Sequence, residues 1–205
     1  MFENAIQPET KRVLEKIAES EIKNEFYLAG GTALAIHLGH RESVDLDWFC
    51  QKSFSNSKVK KNLEETGKFE LISEEEGTIN GLLDNIKVSF FKYDYDLVFP
   101  LVSSKNINLA DERDVAAMKI DAISSRGSKK DFIDLFFLLK KHTLEDLLDI
   151  FSKKYKNIKF NKLHILKSLA FFEDAESDPM PVMLQSADWI SIKNSIQEKI
   201  SIISI

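Results

Sequence analysis

The amino-acid sequence predicts an α+β fold with two units, a sheet-containing unit over residues 1–105 and a helical unit over residues 106–205. Short β-like segments alternate with helical segments as far as Pro100. From Leu109 onward the apolar residues follow a helical period almost throughout. The chain of 205 residues suffices for one large domain or two small ones, with ample apolar material for a core.

The elements of the first unit follow from apolar spacing and from the residues that interrupt it. Residues 8–23 predict an amphipathic helix, because apolar side chains recur there at helical intervals. A double glycine at 30–31 ends the first strand, and Gly39 suits the left-handed position after the next helix. The Asp-Asn pair at 84–85 predicts a hairpin turn. The predicted strands are 26–29, 44–49, 69–73, 78–83 and 86–93, and the other predicted helices are 32–38 and 56–66.

The second unit is predicted to be helical, with boundaries set by capping residues. Asp111 can cap a helix that runs to residue 125, and another helix begins at 128 or 129 and ends near His142. Thr143 followed by Asp146 resembles a capping box for the next helix. A rigid Asp-Pro-Met-Pro segment at 178–181 precedes a final helix around 187–203.

Composition excludes several classes of protein. Cys50 is the single cysteine, so the chain has neither a disulfide framework nor a cysteine-based zinc site. No apolar run is long enough to span a bilayer, and the N-terminus lacks a signal-peptide pattern. The formal net charge of −5 argues against nucleic-acid binding over the whole protein surface but permits local basic patches. We therefore expect a cytoplasmic protein with no membrane association.

The double glycine is suited to hold phosphate. Gly30 and Gly31 let the backbone turn tightly and let a ligand approach the amide groups. The first turn of the next helix offers unpaired N–H groups and the positive end of the helix dipole, and Thr32 adds a hydroxyl. A plain strand-to-helix turn would explain the same residues.

Two carboxylates at alternate positions of the next strand indicate a cation site. Asp45 and Asp47 share one face of the strand, whereas Val44, Leu46 and Trp48 are expected on the core side. Converging carboxylates repel unless a cation neutralises them, and Mg²⁺ is bound through one or two carboxylates plus substrate phosphates. A half-buried strand with a polar outer face is the alternative. The combination with the glycine turn favours a functional site.

Polar residues of the connecting loop are further candidates. The Arg41 guanidinium could hold a phosphate through two bonds, with His40 and Ser43 nearby. A surface ion pair of Arg41 with Glu42 or another acid is the alternative. His37, inside the helix, is expected to pack or cap rather than to bind a ligand.

Two separated segments of the sequence resemble one known family. The first comprises LAGGTALA at 28–35, HLGHR at 37–41, Ser43 and DLD at 45–47, and the second comprises MKIDA at 118–122, RG at 126–127 and KKDFIDL at 129–135. Together they are similar to the AbiEii/AbiGii-type nucleotidyltransferase toxins of the DNA polymerase β-like nucleotidyltransferase superfamily. The resemblance implies a nucleotidyltransferase-like mixed sheet with flanking helices, and a C-terminal helical bundle that completes the active-site cleft.

The resemblance also implies a mechanism. Asp45 and Asp47 would hold Mg²⁺ on the triphosphate of a bound nucleoside triphosphate, an acceptor hydroxyl would attack the α-phosphate, and pyrophosphate would leave. Lys119 would neutralise phosphate charge, and Asp131 would act near the acceptor as a base or an orienting group. The residues implied to bind nucleotide are Gly30, Gly31, Thr32, Arg41, Ser43, Arg126 and Lys130.

Helix geometry supports part of this assignment. Lys119 and Arg126 are seven residues apart, so they share one face of their helix and its end. A solvated helix end is the alternative explanation for these cations and for Lys129 and Lys130. Asp134 could anchor Arg126 or cap a neighbouring helix.

One position departs from the superfamily pattern. A third carboxylate is expected on a later strand, and Ser89 stands at that position. Asp84, Asp94 or Asp96 could replace it, although they fall at strand ends. The site therefore either works with two metal-binding carboxylates or belongs to a degenerate module that binds a nucleotide or a protein without catalysis. An aminoglycoside-type nucleotidyltransferase is a third hypothesis, although the second matched segment resembles the toxin branch more closely.

The resemblance implies two further partners, an antitoxin encoded alongside and, for some members, transfer RNA as the acceptor. The lysine-rich stretch 153–167, which includes Tyr155, Phe160 and His164, could meet an RNA backbone. An ordinary solvated face of helices is the alternative. The acidic run at 74–76 is expected to be a charged turn.

Overall fold

The computed structural model describes residues 2–203, which build a seven-stranded mixed sheet and the helices that flank it. The strands are β1 Tyr27–Ala29, β2 Leu46–Cys50, β3 Phe69–Glu75, β4 Thr78–Leu83, β5 Ile86–Lys92, β6 Val102–Ser104 and β7 Ile107–Leu109. The helices are α1 Pro8–Glu19, α2 Gly30–Leu38, α3 Asn56–Thr66, α4 Glu112–Ser125, α5 Lys129–Leu138, α6 Leu144–Lys154, α7 Lys162–Leu169, α8 Glu173–Glu176 and α9 Trp189–Ser201. The predicted α+β class is confirmed. Between residues 2 and 203, no helix has both the length and the apolar character needed to cross a membrane.

The strand order across the sheet is β3-β4-β5-β2-β1-β7-β6. β2 pairs antiparallel with β1 and parallel with β5, and β1 pairs parallel with β7. The pairs β3–β4, β4–β5 and β6–β7 are antiparallel. β2 therefore lies in the middle of the sheet, so its side chains have neighbours on both sides.

Two hydrophobic cores cover the two faces of the sheet. On one face, Leu46, Trp48 and Phe90 are fully buried in a core shared with α1 and α3. On the other face, Ala29 and Phe49 join the core formed by the helices from α4 onward. Neighbouring residues of a strand point to opposite faces, so the polar residues between these core positions face the helical unit.

Capping groups confirm several predicted helix ends. Gly39 follows α2 in the left-handed conformation, with φ 60°. An Asp111 carboxylate oxygen accepts from the Arg113 N–H at 3.0 Å at the start of α4. The Thr143 hydroxyl oxygen accepts from the Asp146 N–H at 3.1 Å at the start of α6. At these three helix ends the local signals placed the boundary correctly.

The first helix is shorter than predicted. α1 ends at Glu19, because Ser20 has an extended backbone and its hydroxyl oxygen accepts from the Ile22 N–H at 3.3 Å. A 3-10 turn, Glu21–Asn24, follows and leads into β1. Ile22 still packs in the core, so the apolar spacing alone did not reveal the interruption.

The hairpin predicted at 84–85 is confirmed. Asp84 and Asn85 have φ of 49° and 66°, the left-handed values that a two-residue type I′ turn requires. This turn fixes the pairing of β4 with β5, which places Asn80 opposite Ser89.

The sheet extends further along the chain than predicted. The strands do not end before Pro100, because β6 and β7 follow it as a hairpin whose turn residues, Lys105 and Asn106, have φ of 44° and 65°. Each of these strands has three residues, too few for an alternating pattern to be recognised. The predicted unit boundary at residue 105 falls inside this hairpin.

Candidate active site

Most of the predicted site residues line one cleft of about 810 Å³. Its floor is the face of β2 and β5 that points to the helical unit, and α4 and the start of α5 form the opposite wall. Eight predicted residues line this cleft, namely Gly30, Gly31, Asp45, Asp47, Lys119, Arg126, Lys130 and Asp131.

Asp47 faces the cleft from the centre of the sheet. Its neighbours on β2, Leu46 and Trp48, are fully buried on the opposite face. Burial raises the pKa of Asp47, and the negative charge of Asp45 raises it further, while the cations around the cleft offset this only in part. An ionised Asp47 is therefore a destabilised charge in the free protein.

Asp45 lines the cleft from the loop just before β2. The regular strand begins at Leu46, so the alternation of faces does not extend back along this loop. The prediction that Val44 packs in the core is consequently wrong, since Val44 is 39% exposed.

The two carboxylates fit a divalent cation that is shared with a substrate. Carboxylate oxygens are ligands that Mg²⁺ prefers, and a cation would relieve the repulsion between Asp45 and Asp47. Within residues 2–203, no three Asp, Glu, His or Cys side chains converge to form a complete ligand set. The arrangement therefore suits a Mg²⁺ ion that takes further oxygen ligands from phosphate and water.

The double glycine brings the start of α2 close to this carboxylate pair. Gly30 has φ 66°, and a Cβ atom at this position would lie 2.8 Å from an Asp47 carboxylate oxygen. A Cβ atom on Gly31 would lie 2.7 Å from an Arg41 guanidinium nitrogen. Ala29 offers no side-chain cap, so the first N–H groups of α2 are available to an anion.

Replacing Gly30 with Ala should both strain the backbone and displace Asp47. The left-handed conformation alone costs about 1–2 kcal/mol for a residue with a Cβ atom. Gly127→Ala is the matched control, because Gly127 has φ 53° but its added Cβ would lie 3.5 Å from the nearest neighbouring atom, the carbonyl oxygen of Ile123. We expect denaturant unfolding to show a larger loss of stability for Gly30→Ala. Equal losses would contradict the close approach to Asp47.

A buried ion cluster around Asp134 supports one side of the cleft. Asp134 is fully buried and accepts from two nitrogens of Arg41, at 2.7 and 2.9 Å. It also contacts His40 Nε2 and Lys119 Nζ, each at 2.7 Å. Burial alone would raise the pKa of Asp134, but Arg41 and Lys119 hold it well below its ordinary value. Asp134 therefore joins the loop before β2 to α4, rather than anchoring Arg126 as one hypothesis held.

Lys119 and Asp131 form a second, adjoining pair on the helical wall. Lys119 Nζ donates to Asp131 Oδ1 at 2.8 Å, and Ser128 Oγ donates to Asp131 Oδ2 at 2.6 Å. Burial alone would lower the pKa of Lys119, but the carboxylates of Asp134 and Asp131 outweigh it, so the pKa is raised. Lys119 is thus a fixed positive charge. Arg126 is solvent-exposed, with its Nε 3.7 Å from Asp131.

Thr32, Arg41 and Ser43 do not line the cleft. The Thr32 hydroxyl lies 2.8 Å from Ser43 Oγ and donates to the carbonyl oxygen of Asp45. Arg41 is 3% exposed, so the alternative of a surface ion pair with Glu42 is wrong. These side chains instead hold the loop that carries Asp45.

His37 has a structural contact, as expected. Its Nε2 lies 2.9 Å from the carbonyl oxygen of Ala110, which directly follows β7. This contact ties α2 to the end of the sheet.

The position expected for a third carboxylate lies directly beside Asp47. Ser89 pairs with Asp47 across the parallel β2–β5 register and lines the cleft. The three acids considered as replacements are engaged elsewhere: Asp84 with Lys16, Asp94 with Lys92 and Asp96 with Lys156. None of the three lines the cleft, so none of them supplies the carboxylate that is missing at Ser89.

Sequence reasoning missed other polar residues on the cleft floor. Asn80 on β4 pairs with Ser89, so Asp47, Ser89 and Asn80 form a row across three adjacent strands. Lys87, two residues before Ser89 on β5, also lines the cleft. The predicted hairpin would have identified Asn80, because a two-residue turn at 84–85 fixes which residues of β4 and β5 are opposite.

The lysine-rich stretch 153–167 is not a continuous basic surface. Lys154 is buried and donates to Asp114 at 2.8 Å, and the Tyr155 hydroxyl lies 2.6 Å from that of Tyr93. Lys154 therefore ties α6 to α4, and Tyr155 ties α6 to the residue that follows β5. The acidic run at 74–76 is also different from the prediction, since Glu74 and Glu75 belong to β3.

Comparison with known proteins shows which family this chain belongs to. The family described as "Nucleotidyl transferase AbiEii toxin, Type IV TA system" matches residues 12–98 and 80–201 in two overlapping segments. The chain belongs to the AbiEii family. An uncharacterised protein from Aquifex aeolicus is 41% identical over 179 residues, which are 84% of this chain and 86% of that relative.

Solved structures share the fold of this AbiEii-family chain. MenT4, a nucleotidyltransferase toxin from Mycobacterium tuberculosis, has a TM-score of 0.55 at 14% identity, covering 97% of this chain and 87% of that chain. A putative nucleotidyltransferase from Helicobacter pylori has a TM-score of 0.53 at 18% identity, covering 93% and 91% respectively. At these identities the structural likeness establishes the fold alone.

Family membership confirms the predicted resemblance and the enzyme class. The AbiEii-family chain is a nucleotidyltransferase, so its substrate is a nucleotide. The family's description as the toxin of type IV toxin–antitoxin systems associates it with an antitoxin.

Proposed function

We propose that this AbiEii-family protein is a Mg²⁺-dependent enzyme that transfers a nucleoside monophosphate from a nucleoside triphosphate to an acceptor hydroxyl, releasing pyrophosphate. The observation that carries the proposal is one cleft in which Asp45 and Asp47 face Lys119 and Asp131. Such a transfer needs carboxylates that hold a metal ion, a positively charged side chain that binds phosphate, and a candidate base.

Asp45 and Asp47 would hold the Mg²⁺ ion. When bound, the ion would supply charge neutralisation for the triphosphate and for the oxygens of the reacting phosphate. Asp47 is held for this purpose by β2, in the middle of the sheet, and Asp45 by the loop that Thr32 and Arg41 fix in place. Both residues thus fit the ion by the chemistry of their oxygen donors.

The phosphates would bind between the start of α2 and the helical wall. The N–H groups at Gly30 and Gly31 favour negative charge. Lys119 adds a positive charge that its two carboxylate partners keep protonated and fixed. Arg126 and Lys130, at the exposed rim, would bind the outer phosphates or the acceptor.

Asp131 would take the proton from the acceptor hydroxyl. Its Oδ1 atom accepts from Lys119 Nζ, while Oδ2 already accepts a hydrogen bond from a hydroxyl group. This oxygen therefore has a geometry that suits general-base catalysis.

For the acceptor we propose RNA, with transfer RNA as the first candidate, and for the cellular site the cytoplasm. The exposed cations Arg126 and Lys130 at the mouth of the cleft support a polyanionic acceptor. An antitoxin encoded alongside would oppose this activity.

Nucleotide transfer by the purified protein tests the proposed function. Each α-labelled nucleoside triphosphate is supplied with Mg²⁺, and total cellular RNA, total cellular protein and an aminoglycoside are offered as acceptors in separate reactions. The Asp45→Ala/Asp47→Ala double variant is the control. Label on a discrete acceptor that the double variant cannot produce would support the proposal. Nucleotide binding without label on any acceptor would contradict it and favour a non-catalytic binding module. Label on an aminoglycoside but not on RNA would overturn the choice of acceptor.

Replacing Ser89 with Asp should strengthen binding of a divalent cation. The new carboxylate would stand beside Asp47, and added carboxylate charge raises the affinity of oxygen sites for divalent cations. We expect Mn²⁺ to bind the nucleotide-free variant at least about tenfold more tightly, a change of about 1.4 kcal/mol. Electron paramagnetic resonance titration measures this without an activity assay. Ser89→Ala is the control, and an unchanged affinity of Ser89→Asp would contradict the assigned position of the cation.

A further inference from the structure

We propose that Ser128 is itself an acceptor hydroxyl, so that the protein attaches a nucleoside monophosphate to its own chain. This inference rests on the proposed function and adds a modification site to it. It starts from one contact: the hydroxyl bound to the proposed base Asp131 belongs to the protein. Ser128 Oγ donates to Asp131 Oδ2 at 2.6 Å.

The Ser128 hydroxyl has no role in capping its helix. Ser128 is the residue before α5, a position at which a serine side chain usually accepts from an N–H group of the first turn. Here the Asp131 N–H donates to the Ser128 carbonyl oxygen at 2.9 Å, and the Ser128 side chain makes no capping bond. Its proton is directed at the Asp131 carboxylate instead.

Ser128 is also positioned to meet the bound nucleotide. It lines the same cleft as Gly30, Asp45 and Asp47, and it is only partly buried. Asp131, by contrast, is 2% exposed. An external acceptor hydroxyl would have to reach the oxygen that Ser128 already contacts.

Two other hydroxyl groups of residues 2–203 line this cleft, and neither is held in this way. The Tyr93 hydroxyl is paired with that of Tyr155 at 2.6 Å. Ser89 stands beside Asp47 on the sheet, across the cleft from the helical wall. The geometry therefore selects Ser128 among them.

The proposed step needs no reactant other than the protein and the nucleoside triphosphate. Ser128 Oγ attacks the α-phosphorus, a new Oγ–P bond forms, and the bond from the α-phosphorus to the oxygen bridging to the β-phosphate breaks. Pyrophosphate leaves with that bonding pair. The hydroxyl proton moves to Asp131 Oδ2 and from there to solvent. The product is a serine phosphodiester that carries one nucleoside, and it would cover Asp131 and slow transfer to other acceptors.

Intact mass spectrometry of the purified full-length chain tests this inference. The protein is incubated with Mg²⁺ and each nucleoside triphosphate in the absence of any acceptor, followed by peptide mapping. We expect a gain of one nucleoside monophosphate on the peptide that contains Ser128, lost in Ser128→Ala and kept in Ser125→Ala, because Ser125 lies outside the cleft and its hydroxyl bonds to carbonyl oxygens of its own helix. Ser128→Thr retains a hydroxyl and should keep part of the modification, which separates loss of the acceptor from loss of the fold.

Two results would overturn the inference. One is modification of Ser128→Ala to the same extent as the wild-type chain. The other is a wild-type chain that labels an external acceptor but never itself, in which case the proposed function stands and the self-modification fails. Absence of both kinds of labelling, with nucleotide still bound, is the failure of the proposed function and removes the basis of this inference with it.

Discussion

Replacing Asp47 with Asn should abolish nucleotide transfer while leaving the protein at least as stable as the wild type. The substitution keeps the volume of the side chain but removes one of the two charges assigned to the cation. Loss of an ion that stabilises the reacting oxygens removes several kcal/mol of transition-state stabilisation, so we expect transfer to fall at least about a hundredfold.

The stability expectation follows from the pKa of Asp47. Burial raises this pKa first and Asp45 raises it further, so the folded state holds the proton more tightly than the unfolded state does. Stability therefore falls as the pH rises through the window between the ordinary and the raised pKa, and above that window the ionised carboxylate is a cost. Asn removes this cost, so the unfolding midpoint at neutral pH should not decrease.

Two measurements on the same preparation check this prediction. Transfer of label gives the activity, and denaturant unfolding at neutral pH gives the stability. Asp96→Asn is the matched control, because Asp96 is an exposed carboxylate paired with Lys156 outside the cleft. If Asp47→Asn retained activity, or lost it only together with its fold, the assignment of Asp47 to the cation would be wrong.

Replacing Asp134 with Asn should have the largest effect on stability. The substitution leaves the buried guanidinium of Arg41 without its carboxylate partner and takes one of two partners from Lys119. Breaking a buried ion pair by removing one charge costs about 3–5 kcal/mol, because the remaining charge is left in a poorly solvating environment. We expect the free energy of unfolding to fall by this amount.

The pH dependence has the opposite sign to that of Asp47. The pKa of Asp134 is held well below its ordinary value, so its contribution to stability is fully present above the unfolded-state pKa. That contribution is lost as the pH falls toward the folded-state pKa. The difference in stability between the wild type and Asp134→Asn should therefore be largest near neutral pH and shrink in acid.

Denaturant unfolding over a range of pH measures both effects. Glu176→Gln is a suitable control, because Glu176 pairs with Lys193 at 2.5 Å but has a side chain that is 49% exposed. An exposed pair of this kind contributes little to stability, because water and salt screen the two charges. A loss of similar size in Asp134→Asn would show that the cluster does not hold the fold together.

The sequence was sufficient for those parts of the cleft that depend on local patterns. The alternation at 46–48 predicted that Asp47 points away from the core, and the glycine pair marked the end of β1, although α2 begins at Gly30 rather than at the predicted residue 32. Ser89 was identified as the residue at the position of the third carboxylate, and it lies beside Asp47, as a residue at that position should. The first two inferences used residues within a single strand or turn, whereas the position of Ser89 was implied by the family resemblance.

Several inferences that failed needed long-range information. Arg41 and Asp134 are 93 residues apart in the chain, so no local pattern shows that Arg41 is turned away from the cleft. Lys154 is likewise buried, and its carboxylate partner Asp114 lies 40 residues earlier in the chain. A charged residue in a polar segment has the appearance of a surface residue until its partner is known. The strands β6 and β7 escaped recognition for a different reason, namely their length.

The ion cluster around Asp134 has a consequence for how substrates enter. His40 and Arg41 come from the loop that leads to Asp45, whereas Lys119 comes from the facing wall, so one buried carboxylate holds both sides of the cleft at a fixed separation. The two walls cannot swing apart without breaking this cluster. The groups that we propose to be catalytic are thus preorganised before any ligand arrives, and binding need not supply the free energy of a domain closure. Selectivity among acceptors then depends on which molecules fit a rigid opening.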